Sequence, residues 1–310
     1  MSQEKKNKTL LATLGGLLIL AVVLFFYPSD RQEIDKTLFK VSDLSLVDRV
    51  ILSSAGSEVA LSFSGSKWLV NKNQEADEQL ITVLFATLQQ AEPKRQVASS
   101  LRDAVSSMVM KNGVKLDLFQ GDVLVRSFYA GGNAAKTEAY FLDEELGPYI
   151  MTIPGYRVYI SGIFEVEANG WRDRRVFNFN WRNFKKLETE FNRQPSQNFT
   201  IADQGSGFDL VNSPPSDTTR LNDYLDAVSL LMAKEYLTPG RVPVYDSLIQ
   251  TPPIATISVY DLGDNALVLD LYPPIDGDPD ALGRLNGTDP VLFSREQVIP
   301  ILKTRGYFKK

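Results

Sequence analysis

The sequence predicts an α+β protein. An N-terminal transmembrane helix is followed by two tandem, similar domains, each a sheet carrying a helix. Three observations predict this. Residues 9–27 form an apolar run without a charge. The phrase GSKWLVN at 65–71 returns as GSGFDLVN at 205–212, about 140 residues later. Around each phrase, strand, helix and hairpin patterns follow in the same order.

The apolar run TLLATLGGLLILAVVLFFY would span roughly 28 Å as a helix, close to the thickness of a bilayer core. Lys5, Lys6 and Lys8 precede it, whereas Asp30, Arg31, Glu33 and Asp35 follow. The excess of lysine before the run puts residues 1–8 in the cytoplasm as a basic tail. Phe25, Phe26 and Tyr27 would lie at the outer interface, and Pro28 would end the helix. The rival reading is a cleaved signal peptide. Its apolar region would run about 7–15 residues and end at small residues. LFFYPSD offers no such site, which favours an uncleaved anchor over 9–27 and a linker over 28–37.

The first domain is predicted over 38–170 and the second over 171–310. Residues 38–54 are matched by 176–191, with Phe39 opposite Phe177 and Val41 opposite Phe179. After each phrase comes an amphipathic helix. At 76–90, Leu80, Leu84 and Leu88 share a face with Ile81 and Phe85; at 216–237, Leu221, Leu225 and Val228 share one with Tyr224, Leu231 and Met232. Asp77 and Asp217 stand where a side-chain oxygen caps free N–H groups. Hairpins follow at 114–129, turning at Gln120-Gly121-Asp122, and at 255–272, turning at Leu262-Gly263-Asp264. Residues 148–164 read as a strand and a short helical turn. Residues 290–303 read as a strand and a helix from Ser294. Trp68 and Phe208 become equivalent core anchors. Residues 272–290, rich in Pro, Gly and Asp, read as a long loop. A period near 140 exceeds the 20–50 residues of solenoid repeats, so duplicated domains are expected.

Composition narrows the chemistry. With 310 residues, 44% hydrophobic, the chain can bury a core in one large or two medium domains. A net charge of −5 argues against a nucleic-acid partner, because phosphate contacts need a basic surface. Cysteine and histidine are both absent. Disulfides, lipid attachment at an N-terminal cysteine, Ser-His-Asp and Cys-His catalysis and zinc-peptidase chemistry are therefore closed to it. Carboxylate, lysine, tyrosine and oxygen-ligand chemistry remain.

Candidate sites are few. Arg172, Arg174 and Arg175 in NGWRDRR form the densest basic cluster beyond the N-terminus, at the junction of the two domains. They offer a contact for a partner or for anionic head groups. The plainer reading, which we favour, is a solvated junction with local ion pairs. Trp171 is expected to pack between the domains and joins the arginines as a possible partner-binding residue. Asp276, Asp278 and Asp280 resemble a calcium loop, but Ala281 and Gly287 stand where Gly and Glu are required. Turn formation explains them. Gly131 and Gly132 end a strand, and no phosphate-cradling motif is written. The sequons at Asn198 and Asn286 are of a kind that occurs by chance. No cofactor and no metal are expected.

The segments VILSS…EVALSFSGSKWLVN, GVKLDLFQGDVLVRSFYAGG, YIMTIPGYRVYI and GWRDRRVFNF resemble the bacterial domain of unknown function 4340 family over most of residues 38–237. The strongest markers are Trp68-Leu69-Val70, Pro154-Gly155-Tyr156-Arg157, and Trp171-Arg172 with Arg174-Arg175. The resemblance implies one N-terminal membrane helix and an accessory role beside ABC-type export systems, including gliding-associated transporters. It transfers no active-site residue.

The expected function is a single-pass scaffold or accessory subunit, not an enzyme, in a bacterial inner membrane. Its N-terminus would be cytoplasmic and its body periplasmic. It would bind a membrane or envelope protein, such as an ABC transporter component. The alternatives are a carboxylate-based envelope hydrolase, which needs paired acids in a cleft, and a lipid or small-ligand carrier, which needs an enclosed apolar cavity.

Overall fold

The computed structural model describes residues 3–26, 34–177, 179–180, 182–205 and 207–310, with side chains over 7–22 in the first stretch. Helix α1, Gln3–Phe26, comes first. Its described leucines and isoleucine, from Leu10 to Leu20, are all exposed. Among the described residues no helix is long and apolar enough to cross a membrane. The apolar run 9–27 extends past them, and most of the linker 28–37 lies outside them.

Two antiparallel sheets follow. The first contains β1 (Arg49–Ser54), β2 (Ser57–Phe63), β3 (Trp68–Val70), β4 (Gln74–Glu75), β5 (Glu92–Gln96), β6 (Val114–Gln120), β7 (Val123–Gly132), β8 (Ala139–Asp143) and β9 (Gly147–Thr152). Helix α2 (Glu78–Gln90) precedes β5, and α3 (Arg102–Asn112) follows it. The second sheet contains β10 (Phe184–Phe191), β11 (Phe199–Asp203), β12 (Phe208–Leu210), β13 (Glu235–Tyr236), β14 (Ala255–Asp261), β15 (Ala266–Leu271), β16 (Asp280–Leu285) and β17 (Asp289–Ser294). Here α4 (Thr218–Ser229) precedes β13, α5 (Pro243–Leu248) follows it, and α6 (Arg295–Val298) comes last.

The strand orders are β4-β3-β2-β1-β6-β7-β8-β9-β5 and β12-β11-β10-β14-β15-β16-β17-β13. With the two-residue β4 set aside, they are one order. In each sheet the strand after the longer helix closes the far edge, beside the last hairpin.

Each sheet is covered on both faces. On one, α2 buries Ile81, Leu84 and Leu88 against Val50, Leu61, Leu116 and Leu118. In the second unit α4 buries Leu221, Tyr224, Leu225 and Val228 against Leu187, Ile201, Ile257 and Leu269. Asp77 and Asp217 cap these helices, each accepting from two backbone amides. The opposite faces carry the smaller helices: α3 over Tyr140, Leu142 and Ile150, and α5 over Tyr272, Leu282 and Leu292. Each core is plugged by the aromatic that ends a 3-10 turn, Trp171 of Ala168–Trp171 and Phe308 of Arg305–Phe308.

The echoed phrase has a backbone cause. Gly65 and Gly205 turn their hairpins at φ +90° and +83°, where a side chain is strained. Each phrase closes on a left-handed asparagine, Asn71 at φ +50° and Asn212 at +54°. By pairing, however, Val211 and not Asn212 is the counterpart of Asn71, since the amides of Asn71 and Val211 bond the matching carbonyls of Ala60 and Thr200.

Four expectations need correction. The helix predicted over 216–237 stops at Ser229; Leu231 is buried, Met232 is exposed, and the chain continues into β13. The predicted loop over 272–290 contains β16, a strand disguised by Gly283. A Cβ there would lie 2.7 Å from the Phe293 ring and 2.9 Å from Leu269, so packing demands glycine. Each unit has a second helix: α3 buries few side chains and so shows weak apolar periodicity, and α5 is only 6 residues long. Trp68 and Phe208 are partly buried against their cores, not enclosed by them.

Candidate partner interface

The junction is an extended strap over 171–176 that bonds first to one unit and then to the other. The Asp77 amide donates to the Trp171 carbonyl at 2.8 Å, and the Asp173 amide to Glu75 at 2.8 Å. Beyond Asp173 the partners change. The Ala233 amide donates to Arg174 at 2.7 Å, and the Val176 amide to Leu231 at 3.1 Å. Bridges pair Ala76 with Arg172 and Arg175 with Met232.

The four sequence-predicted residues fare differently on this strap. Trp171 has no exposed surface; it sits in the first unit's core and donates its ring N–H to the Val166 carbonyl at 3.0 Å. It therefore offers no face to another chain, and its packing belongs to the first unit and not to the space between units. Arg172 joins the units. Its guanidinium donates to Asp289 at 2.8 Å and lies 3.7 Å from the centre of the Tyr236 ring, with 11% of the side chain exposed. The Tyr236 hydroxyl donates to the Asp173 carbonyl at 2.8 Å, and burial pushes its pKa up. Arg175 bonds Asp173, with Glu75 at 3.9 Å; the Asp173 hydrogen bond raises its pKa further. Arg174 is half exposed, with its closest carboxylate, Asp77, at 4.0 Å.

Asp173, Tyr236 and Asp289 do as much here as the arginines. No local signal marks the last two, because strand pairing brings them from far along the chain.

A cleft of about 990 Å³ opens between the units on one side of the strap, lined by Leu52, Val59, Asn169, Arg172, Leu237 and Asp289 among others. A smaller hollow of about 570 Å³ adjoins it, lined by Asp77, Arg174, Lys234 and Glu235. An exposed ion pair, Arg241 with Glu167 at 2.9 Å, contributes to both. Asn169 stands beside it, donating to the Tyr236 carbonyl and the Thr238 hydroxyl at 3.2 Å each. The lining of both is mixed in polarity, and in the larger cleft Arg172 is matched by Asp289 and Arg241 by Glu167. That suits a surface that binds a polar partner better than one that holds a bare charge. Among the described residues no group of acidic side chains is placed to hold a metal ion. In the Asp276–Asp278–Asp280 segment, Asp278 accepts from Tyr245 at 2.7 Å and Asp280 pairs with Lys234 at 2.6 Å.

Two helix-covered antiparallel sheets laced by one strap define the class, an α+β protein of two similarly ordered units. Residues 68–247 match the model of the domain of unknown function DUF4340, and the chain belongs to that family. The match runs from β3 through the strap to α5, so the junction lies inside it. No curated protein and no solved structure is similar enough to match the chain.

Proposed function

We propose that this protein is a single-pass, membrane-anchored, extracytoplasmic scaffold or accessory subunit that binds a protein partner at the junction of two tandem copies of one unit, 38–170 and 171–310. The observation that carries the reading is α1. Its apolar residues lie on every side of the helix, and those described are exposed, an arrangement that water penalises and lipid accepts. In the sequence the uncharged run 9–27 would rise about 28 Å as a helix, close to a bilayer core. The lysines before the run support an inward N-terminus. The cleft beside the strap supplies a concave surface, and family resemblance suggests an ABC-type export complex as its setting.

Alkaline carbonate extraction of bacterial membranes tests the anchor: the protein should stay in the pellet. Protease added to spheroplasts should degrade the body. Mild crosslinking in intact cells should then capture a defined membrane partner, and an Arg174→Glu change should weaken that capture. A protein released by carbonate, or crosslinked to nothing, would defeat the reading.

A further inference from the structure

The first unit ends in a feature that the second lacks. After β9 the chain makes a type II turn, Ile153-Pro154-Gly155-Tyr156. The Tyr156 amide donates to the Ile153 carbonyl at 3.0 Å, and Gly155 takes φ +84°. The tip is bare. Tyr156 and Val158 are 64% and 59% exposed, and Arg157 between them is exposed without an ion pair among the described residues.

Its position decides what it faces. Thr152, which precedes the turn, pairs with Glu92. The Glu92 carboxylate holds Lys36 at 3.5 Å and Lys40 at 3.6 Å. The chain arriving from α1 thus meets the body beside this turn. Residues 27–35 separate the end of α1 from Lys36, a reach of at most about 36 Å. The two ends of β9 also differ in charge. The hairpin before it exposes Glu144 and Glu145, whereas the turn after it exposes Arg157. An anionic surface would repel the first end and attract the second.

We propose that this turn is a lipid-facing foot. Tyr156 and Val158 enter the interfacial layer, Arg157 binds the phosphate of an anionic phospholipid, and the first unit stands on the membrane in one orientation. Tyrosine suits this depth because its ring is apolar and its hydroxyl is wet. The proposal rests on reading α1 as a membrane helix.

Because the chain has no cysteine, Tyr156→Cys gives a single labelling site in the full-length protein. An environment-sensitive fluorophore placed there, in phosphatidylcholine–phosphatidylglycerol vesicles, should shift to the blue and be quenched by headgroup-labelled lipid. The same label at Asp122→Cys, on the opposite end of the sheet, should behave as in water. Adding Arg157→Glu should weaken lipid contact at least about fivefold, the factor expected for one basic residue at such a surface. A label at 156 as wet as that at 122, on protein that floats with the vesicles, overturns the foot and leaves the anchor standing. Protein that does not float overturns both. A label buried only after solubilised envelope proteins are added assigns the turn to a protein and overturns the lipid assignment.

Discussion

The two units close their cores alike and finish their surfaces differently. In the first, the Trp171 carbonyl accepts from the amide of the helix cap Asp77 at 2.8 Å; in the second, the Phe308 carbonyl accepts from the amide of the cap Asp217 at 2.9 Å. One plug and one cap meet in each unit because the helix N-terminus and the sheet leave a gap that a large ring fills. Away from that gap the two units differ. The first has β4, a longer smaller helix and a bare turn after β9. The second has neither β4 nor the turn, and α6 follows β17. A groove of about 750 Å³ runs beside Trp68 and Phe85 in the first unit. In the second, Phe179 stacks on Phe184 at 4.8 Å. Burial holds the centre of the fold to one solution, and the edges are where the units can acquire separate tasks.

The largest test of this comparison is alkali. Burial pushes up the hydroxyl pKa of Tyr224, Tyr236 and Tyr272 in the second unit. That of Tyr245 rises to about 12 and that of Tyr260 also rises, mainly through its hydrogen bond to Glu188. In the first unit burial raises those of Tyr140 and Tyr159. A folded pKa above the ordinary 10.0 means stability that is complete below pH 10 and lost as the pH climbs beyond it. The second unit should therefore open first. Circular dichroism paired with an alkali-tolerant protease would show early cuts within 177–310, and simultaneous opening would break the asymmetry.

Next come the plugs. Trp171→Ala and Phe308→Ala should each cost about 3–5 kcal/mol in urea denaturation, because each empties a closed site. A neutral change at either position ends the equivalence. Arg172→Ala should cost about 2–3 kcal/mol, since it removes both a charged hydrogen bond and the stack on Tyr236. Arg174→Ala should stay within about 0.5 kcal/mol. Trp68→Ala and Phe208→Ala, partly buried, should each lose about 1.5–3 kcal/mol. A similarly small effect is expected at Glu167→Gln. Its exposed pair with Arg241 is worth about 0.2–1 kcal/mol, and that difference should vanish in high salt.

Much of this was legible in the sequence because it is local. Asp77 and Asp217 announce helix starts, the two Gly-Asp turns announce hairpins, and leucines at helical spacing mark the buried faces of α2 and α4. What escaped is set by distant contact. Gly283 looks like a loop residue until Phe293 is seen against it. Helix α3 buries few side chains and so carries little periodicity. The arginines at the junction could be listed, but not sorted. Asp289, more than a hundred residues away, decides that Arg172 is internal, and the lack of any such close partner leaves Arg174 facing outward.

The strap also sets how the molecule would carry tension. A pull on the second unit against the first is borne by residues 171–176, knotted to one side through Glu75 and Asp77 and to the other through Leu231 and Ala233. Force entering there arrives at the cap of α2, beside the Trp171 plug, and at the chain just beyond the end of α4, at the opposite end of that helix from the Phe308 plug. A pull therefore loads the closure of the first core directly and that of the second only through α4.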